Sequence, residues 1–352
     1  MLGSCSRPSE EPDPVQESVA VSPETVSIGA EGGNVSLKVT ASAGFEAYSR
    51  DAWINDVRPD YSPAKTGEVT FTVKPNEEEK EREGSVVVKC GTTRKSVPVK
   101  QAAAESSDIP APDGYSLVWQ DEFDGTSVNS NNWRFENWAP GRVNNELQRY
   151  VAGGELDGHK TAYVADGVLY ITAQKYKNQV ISARMNTNKS WTYGYMEASI
   201  WLPKGKGTWP AFWMMPDNQS DGWPTCGEID IMEEVGCVPN EVSSSVHTKS
   251  YNHTINTQKT AKRTLSGAES GFHTYALEWT PELIRSYVDG KLLLTFQNDG
   301  KKDKNTWPFD KAFYITLNLA WGGDWGGMWG VDESALPTTM RIDYVRVFQK
   351  KK

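Results

Sequence analysis

Apolar and polar positions alternate in short runs between residues 21 and 103. VSLKV (35–39), EVTFTV (68–73), GSVVVK (84–89) and KSVPVKQ (95–101) each follow this period of two. Such a period puts apolar side chains on one face of an extended strand and polar ones on the other. EGG (31–33) and CGTT (90–93) interrupt the runs as turns. The pattern predicts a small β-sandwich over 21–103. NEEEKEREG (76–84) has too few apolar residues for a core strand and reads as a solvated loop.

The same period returns beyond a linker at 104–114, part of AAAESSDIPAPDG. GVLYITAQ (167–174), YGYMEASIWLP (193–203), LIRSYVDGKLLLTF (283–296) and MRIDYVRVF (340–348) are strand-like. Asp289-Gly290 between two apolar runs signals a hairpin. No long stretch carries a helical period. Residues 115–352 therefore read as one all-β domain, and residues 1–20 as a polar tether.

One strand-like run breaks the pattern. GEIDIMEEVG (227–236) sets four carboxylates among apolar neighbours. Glu228 and Asp230 share parity and hence a strand face, whereas Glu233 falls on the opposite one. A β-bulge between Asp230 and Glu233 restores the parity, with Met232 as the candidate extra residue. Three carboxyl groups on one face repel each other, and burial raises at least one pKa. A retaining glycosidase uses that arrangement, with one carboxylate as nucleophile and a neutral partner as acid. The alternative is a scatter of solvated acids on an edge strand. Glu234, the next residue, points away and is structural.

Composition narrows the ligand. The chain has 352 residues, 24% charged and 38% hydrophobic, with a net charge of −9 and no basic block, which excludes nucleic acid. Of its 14 tryptophans, only Trp53 precedes residue 115. Many lie beside Gly and Pro, in WPAFW, GWPT and AWGGDWGGMWG. Such stretches read as loops, and aromatics on loops suit a sugar ring. No run reaches the roughly 18 apolar residues of a membrane helix. Cysteines 5, 90, 226 and 237 match no metal spacing. An extended strand separates Cys226 from Cys237 by on the order of 30 Å, so both are expected free. Leu2-Gly3-Ser4 before Cys5 resembles the end of a bacterial lipoprotein signal, with Met1 a truncation or an artificial start.

Residues 21–103 resemble the BACON module, an immunoglobulin-like domain of Bacteroidetes carbohydrate enzymes. The likeness rests on Val21-Ser22-Pro23, Gly32-Gly33, Trp53 in DAWI, Asn76, Arg82 with Gly84, and VPVKQ. Residues 115–349 resemble glycoside hydrolase family 16, through Glu-x-Asp-x-x-Glu, LVWQDEFDG, NNELQRY, ISARMNT, LPKGKGTWPAFWMMP, FHTYALEW and DYVRV. That resemblance implies a concanavalin A-like β-jelly-roll sandwich with a long cleft. It implies Glu228 as nucleophile, Asp230 as its helper and Glu233 as acid/base. Trp209 and Trp213 match its sugar platform, Asn145 and Arg184 its polar cleft positions, and His247 a cleft histidine. Trp321, Trp325 and Trp329 would form one cleft wall. Tyr195 stands where relatives carry Arg, which leaves the sugar contacts of that strand open. No cofactor is implied for catalysis. A structural calcium is implied at the backbone oxygens of Glu122 and Gly167 and the carboxylate of Asp343.

The expected activity is endo-acting, retaining hydrolysis of β-1,3 or mixed β-1,3/1,4 glucans, laminarin and cereal glucan among them. The rivals are a family 16 galactanase of the agarase or carrageenase type and a non-catalytic glycan-binding protein. A monomer is expected, lipid-anchored at Cys5 on the outer membrane of a Bacteroidetes-like cell.

Overall fold

The computed structural model describes residues 16–76, 78, 80–103 and 109–351. Cys5 and most of the expected tether lie outside the described residues. The chain divides into two units, Met1–Asp108 and Ile109–Lys352.

The first unit is a sandwich of a four-stranded and a five-stranded sheet. Gly33–Ala41 and Thr66–Val73 pair antiparallel in one sheet, Arg82–Cys90 and Thr93–Gln101 in the other. Alternation turns Leu37, Val39, Val69, Phe71, Val86, Val88, Val97 and Val99 into a shared core. The run 76–84 is not wholly a solvated loop, because residues 82–84 already belong to the Arg82–Cys90 strand. Polar bonds hold its ends where apolar burial would otherwise be needed. Arg82 stacks on Trp53 at 4.5 Å, bonds Gln101 and caps the Lys74 and Pro75 carbonyls. Buried Asn76 donates to the carbonyls of Lys80 and Ala102.

The second unit is a larger sandwich. A seven-stranded sheet runs Trp133–Phe135, Arg184–Trp191, Phe313–Trp321, Thr208–Pro216, Glu228–Glu233, Glu241–His247, Lys259–Thr264. It packs on a ten-stranded sheet that contains Val168–Tyr176, Thr338–Lys350, Gly194–Trp201 and His273–Trp279. Between them lie Ile171, Met196, Phe212, Met214, Ile229, Leu277, Ile315, Leu317 and Ile342, among others. Asp289 and Gly290, both at positive φ, close the hairpin between Leu283–Val288 and Lys291–Gln297. Among the described residues, helix is confined to one four-residue turn and three 3₁₀ turns. Cys90, Cys226 and Cys237 are free thiols.

Two tryptophan segments differ from the expectation of loops. WPAFW lies inside the Thr208–Pro216 strand, between two neighbours. Pro210 is tolerated because its carbonyl faces the Glu228–Glu233 strand, where it accepts from Glu234 N beyond the last ladder pair, Ala211–Glu233. A strand residue's N–H and C=O point the same way, so the donor Pro210 lacks is not missed within that ladder. Trp321 ends the Phe313–Trp321 strand and is 1% exposed. It shares parity with Phe313, Ile315, Leu317 and Leu319, so it enters the core and is no part of a cleft wall.

Candidate active site

Register aligns two rows of side chains on the face of the seven-stranded sheet opposite the core. One row is Arg184, Asn318, Ala211, Glu233 and Ser243. The next is Asn186, Thr316, Trp213, Asp230 and Ser245. Glu228 follows, opposite His247.

A bulge brings Glu233 into this array. Asp230 pairs with Trp213 and Met232 with Phe212, which leaves Ile231 without a partner. The register with Glu241–His247 slips at the same place. The extra residue is therefore Ile231, not Met232. Both side chains enter the core, and Glu233 returns to the face of Glu228 and Asp230. Glu234 falls on the core side, fully buried, and its Oε1 accepts from Asn240 N at 2.7 Å. Burial, then the nearby Glu269, pushes its pKa up to about 8.

The acids sit in a dense polar shell. Trp209 Nε1 donates to Glu233 Oε1 at 2.9 Å. His247 Nε2 lies 3.2 Å from Asp230 Oδ2 and 3.9 Å from Glu228 Oε1. Burial is the main cause that raises each of Glu228, Asp230 and Glu233 to about 8. The Asp230 charge adds to the rise at both glutamates. At Glu228, His247 and Arg184 pull the other way, whereas Glu233 has the Trp209 bond and His247. The three carboxyls therefore titrate as one coupled cluster that holds protons up to about pH 8.

The other expected cleft residues divide. Arg184 is buried, sandwiched between Trp138 at 4.3 Å and Trp213 at 4.5 Å. Trp213 is anchored by a 2.7 Å bond from Nε1 to Asn318 Oδ1. Trp325 meets Trp209 edge-on at 5.6 Å. Its loop needs Gly326, where a Cβ would stand 2.9 Å from that of Trp209. Asn145 is exposed, and its Nδ2 bonds Asp324 Oδ1 at 2.7 Å, which ties two loops together. Trp329 is 60% exposed at the loop tip.

Residues that were not singled out in the sequence also come together here. Trp223 of GWPT lies 4.9 Å from the His253 ring, and both pack against His247, at 6.1 and 5.3 Å. Asn252 holds that turn by accepting from Thr254 N and Oγ1. Glu146 and Gln148 of NNELQRY form a buried pair, with Gln148 Nε2 donating at 2.7 Å. Burial raises the Glu146 pKa.

The calcium positions converge through strand register. Asp121 pairs with Val345 and Leu169 with Ile342, which sets Glu122, Gly167 and Asp343 side by side along the Thr338–Lys350 strand. Asp343 is the unpaired residue of a bulge against Gly194–Trp201, and its carboxylate makes no ion pair among the described residues. Glu122's own carboxylate is taken by Arg346, with two 2.8 Å bonds, which leaves its backbone oxygen as the donor. Hard oxygens of this kind fit calcium.

The family model for glycosyl hydrolases family 16 matches residues 155–346, more than half of the chain. The chain belongs to glycosyl hydrolase family 16. The BACON family model matches residues 45–102. A β-glucanase of Rhodothermus marinus is 44% identical over 248 residues, which are 67% of this chain and 85% of that protein. The crystal structure of the laminarinase from Rhodothermus marinus superposes with a TM-score of 0.64 at 43% identity, over 68% of this chain and 98% of that one. A mutant of a non-specific family 16 endo-β-1,3(4)-glucanase, co-crystallised with 1,3-β-D-cellotriosyl-glucose and presenting a 1,3-β-D-cellobiosyl-glucose at its active site, gives 0.65 at 42% identity, over 69% and 97%. The second unit is thus a family 16 jelly-roll sandwich.

Proposed function

We propose that the chain is an endo-acting, retaining β-glucanase that hydrolyses β-1,3 and mixed β-1,3/1,4 glucans by double displacement. The observation that carries this reading is the bulge that puts Glu228, Asp230 and Glu233 on one face, in a chain whose relatives are glucanases. Glu228 attacks the anomeric carbon while Glu233 protonates the departing glycosidic oxygen. Glu233, now ionised, then takes a proton from the water that cleaves the glycosyl-enzyme ester. Asp230, between the two, disfavours charge on Glu233 before the first step. Trp209 fixes the Glu233 carboxyl by one oxygen and leaves the other for the glycosidic bond. Reducing-end release from laminarin, barley glucan and agarose, compared side by side, tests the substrate class. Proton NMR of the first product tests retention. Cleavage of agarose alone would make the enzyme a galactanase.

Three further features belong to this reading. A calcium ion would be held by the Glu122 and Gly167 carbonyls and the Asp343 carboxylate, as a structural clasp remote from the chemistry. The triplet before Cys5 supports a lipid anchor there and a place on the cell surface. Palmitate labelling that survives Cys5→Ala would contradict the anchor. The enzyme acts as a monomer, which light scattering tests.

A further inference from the structure

We propose that Glu228, Asp230 and His247 also form a binding site for one borderline divalent cation of the zinc class, and that its occupancy switches hydrolysis off. One donor atom from each of the three side chains lies within 4.8 Å of the others. Donors around a tetrahedral zinc, with bonds of about 2.0–2.1 Å, stand about 3.3 Å apart. The His247 Nε2 to Asp230 Oδ2 edge is 3.2 Å, and that to Glu228 Oε1 is 3.9 Å. Glu228 is partly open to solvent, so a small rotation closes the longer edge. Asp230 is 3% exposed, and its Oδ2 makes no aligned hydrogen bond among the described residues, although His247 Nε2 lies 3.2 Å away. That buried oxygen, without a hydrogen bond, points into the cluster.

The donor set selects the cation. Two carboxylates and one imidazole suit zinc or copper, whereas calcium requires six to eight oxygens. Two carboxylates cancel the charge of a divalent ion and are relieved of their own repulsion. The rings of Trp223 and His253 pack on His247 and limit its rotation. A bound ion withdraws the nucleophile and occupies the place of the reacting sugar, so ion and substrate exclude each other. Only this consequence rests on the glucanase reading; binding itself does not.

Calorimetric titration of zinc chloride into chelator-treated, full-length protein tests the site. Cys237→Ser is the background, because a partly exposed thiol is the obvious competing ligand. One zinc is expected to bind, His247→Gln should weaken it at least about tenfold, and a saturating glucan oligosaccharide should raise its apparent Kd. Equal affinity in His247→Gln or no heat up to about 1 mM zinc overturns the site, and indifference to the oligosaccharide in a protein that cleaves glucan overturns the switch. The competition arm stands even if His247→Gln fails to fold. Zinc binding that depends on His247, in a protein that cleaves no glucan, would leave the site standing and sink the glucanase reading.

Discussion

At the scale of single residues, the two glutamates are chemically alike and made different by neighbours. Asp230 disfavours charge on both and His247 favours it on both, while Arg184 adds to the second effect at Glu228 and the Trp209 indole does so at Glu233. Glu228→Ala removes the nucleophile, and hydrolysis should fall by at least about 10⁴-fold, with circular dichroism unchanged. A residual rate of more than a few per cent would show that another group attacks. Trp209 tests the acid. Its indole donates to Glu233 and lowers a pKa that burial raises to about 8. Glu233 must be protonated in the first step, so the alkaline limb of kcat/KM should follow that pKa. Trp209→Phe removes the donor and should move the limb to higher pH; a shift to lower pH would exclude Glu233 as the acid. In the sequence, the three acids are legible because an odd offset in an apolar strand demands an explanation. Trp223 and His253 are not, since they lie 30 residues apart and meet only through the turn that follows the Glu241–His247 strand. Trp321 was legible in principle. Its parity with four core residues says core, while the glycines after it suggest a loop.

At the scale of elements, the bulge is the device that makes the site. Deleting Ile231 leaves Glu-Ile-Asp-Met-Glu, whose plain alternation keeps all three acids on one face. The residues beyond keep their partners, because Ile231 has none in the ladder with Thr208–Pro216. Loss of a buried isoleucine costs about 2–5 kcal/mol, so the variant should melt lower yet retain measurable hydrolysis. Inserting Ala between Ile231 and Met232 turns Glu233 into the core and should abolish activity. A folded but inactive deletion variant beside an active insertion variant would show that the bulge does not position Glu233. The residue after Glu233 makes a separate point. Glu234 has a folded pKa of about 8 against an ordinary value of 4.5, so the folded state holds a proton that the unfolded chain has released. Its contribution to stability is therefore lost as pH rises from about 4.5 to about 8. Glu234→Gln keeps the bond to Asn240 N without the titration. The variant should gain melting temperature over the parent at pH 8 and not at pH 5. Equal pH profiles would mean that Glu234 is ionised in the folded protein.

At the scale of the whole molecule, the alternating runs reveal two sandwiches because each run buries one face. They cannot reveal which strands are neighbours, since that is fixed by register across distant segments, as between Tyr115–Asp121 and Thr338–Lys350. The division of labour follows from the cores. Every residue of the first unit's core lies between Val21 and Val99, and the main core of the second draws only on residues from Phe123 to Val347. Each unit thus has a core of its own, which is the condition for folding alone. The acids and the tryptophans around them belong wholly to the second unit. In the first, Tyr61, at 58%, is the one exposed large aromatic among the described residues, and Trp53 is covered by Arg82. One exposed ring makes no sugar platform. A fragment of residues 109–352 should therefore keep the kcat/KM of the full chain on soluble glucan, to within about twofold, a difference of only about 0.4 kcal/mol. The fragment 16–103 should melt cooperatively and bind no glucan by calorimetry. If the larger fragment is folded but inactive, the first unit takes part in forming the site. If the smaller one binds glucan, it is a recognition module, and the full chain should then outperform the fragment on insoluble substrate alone.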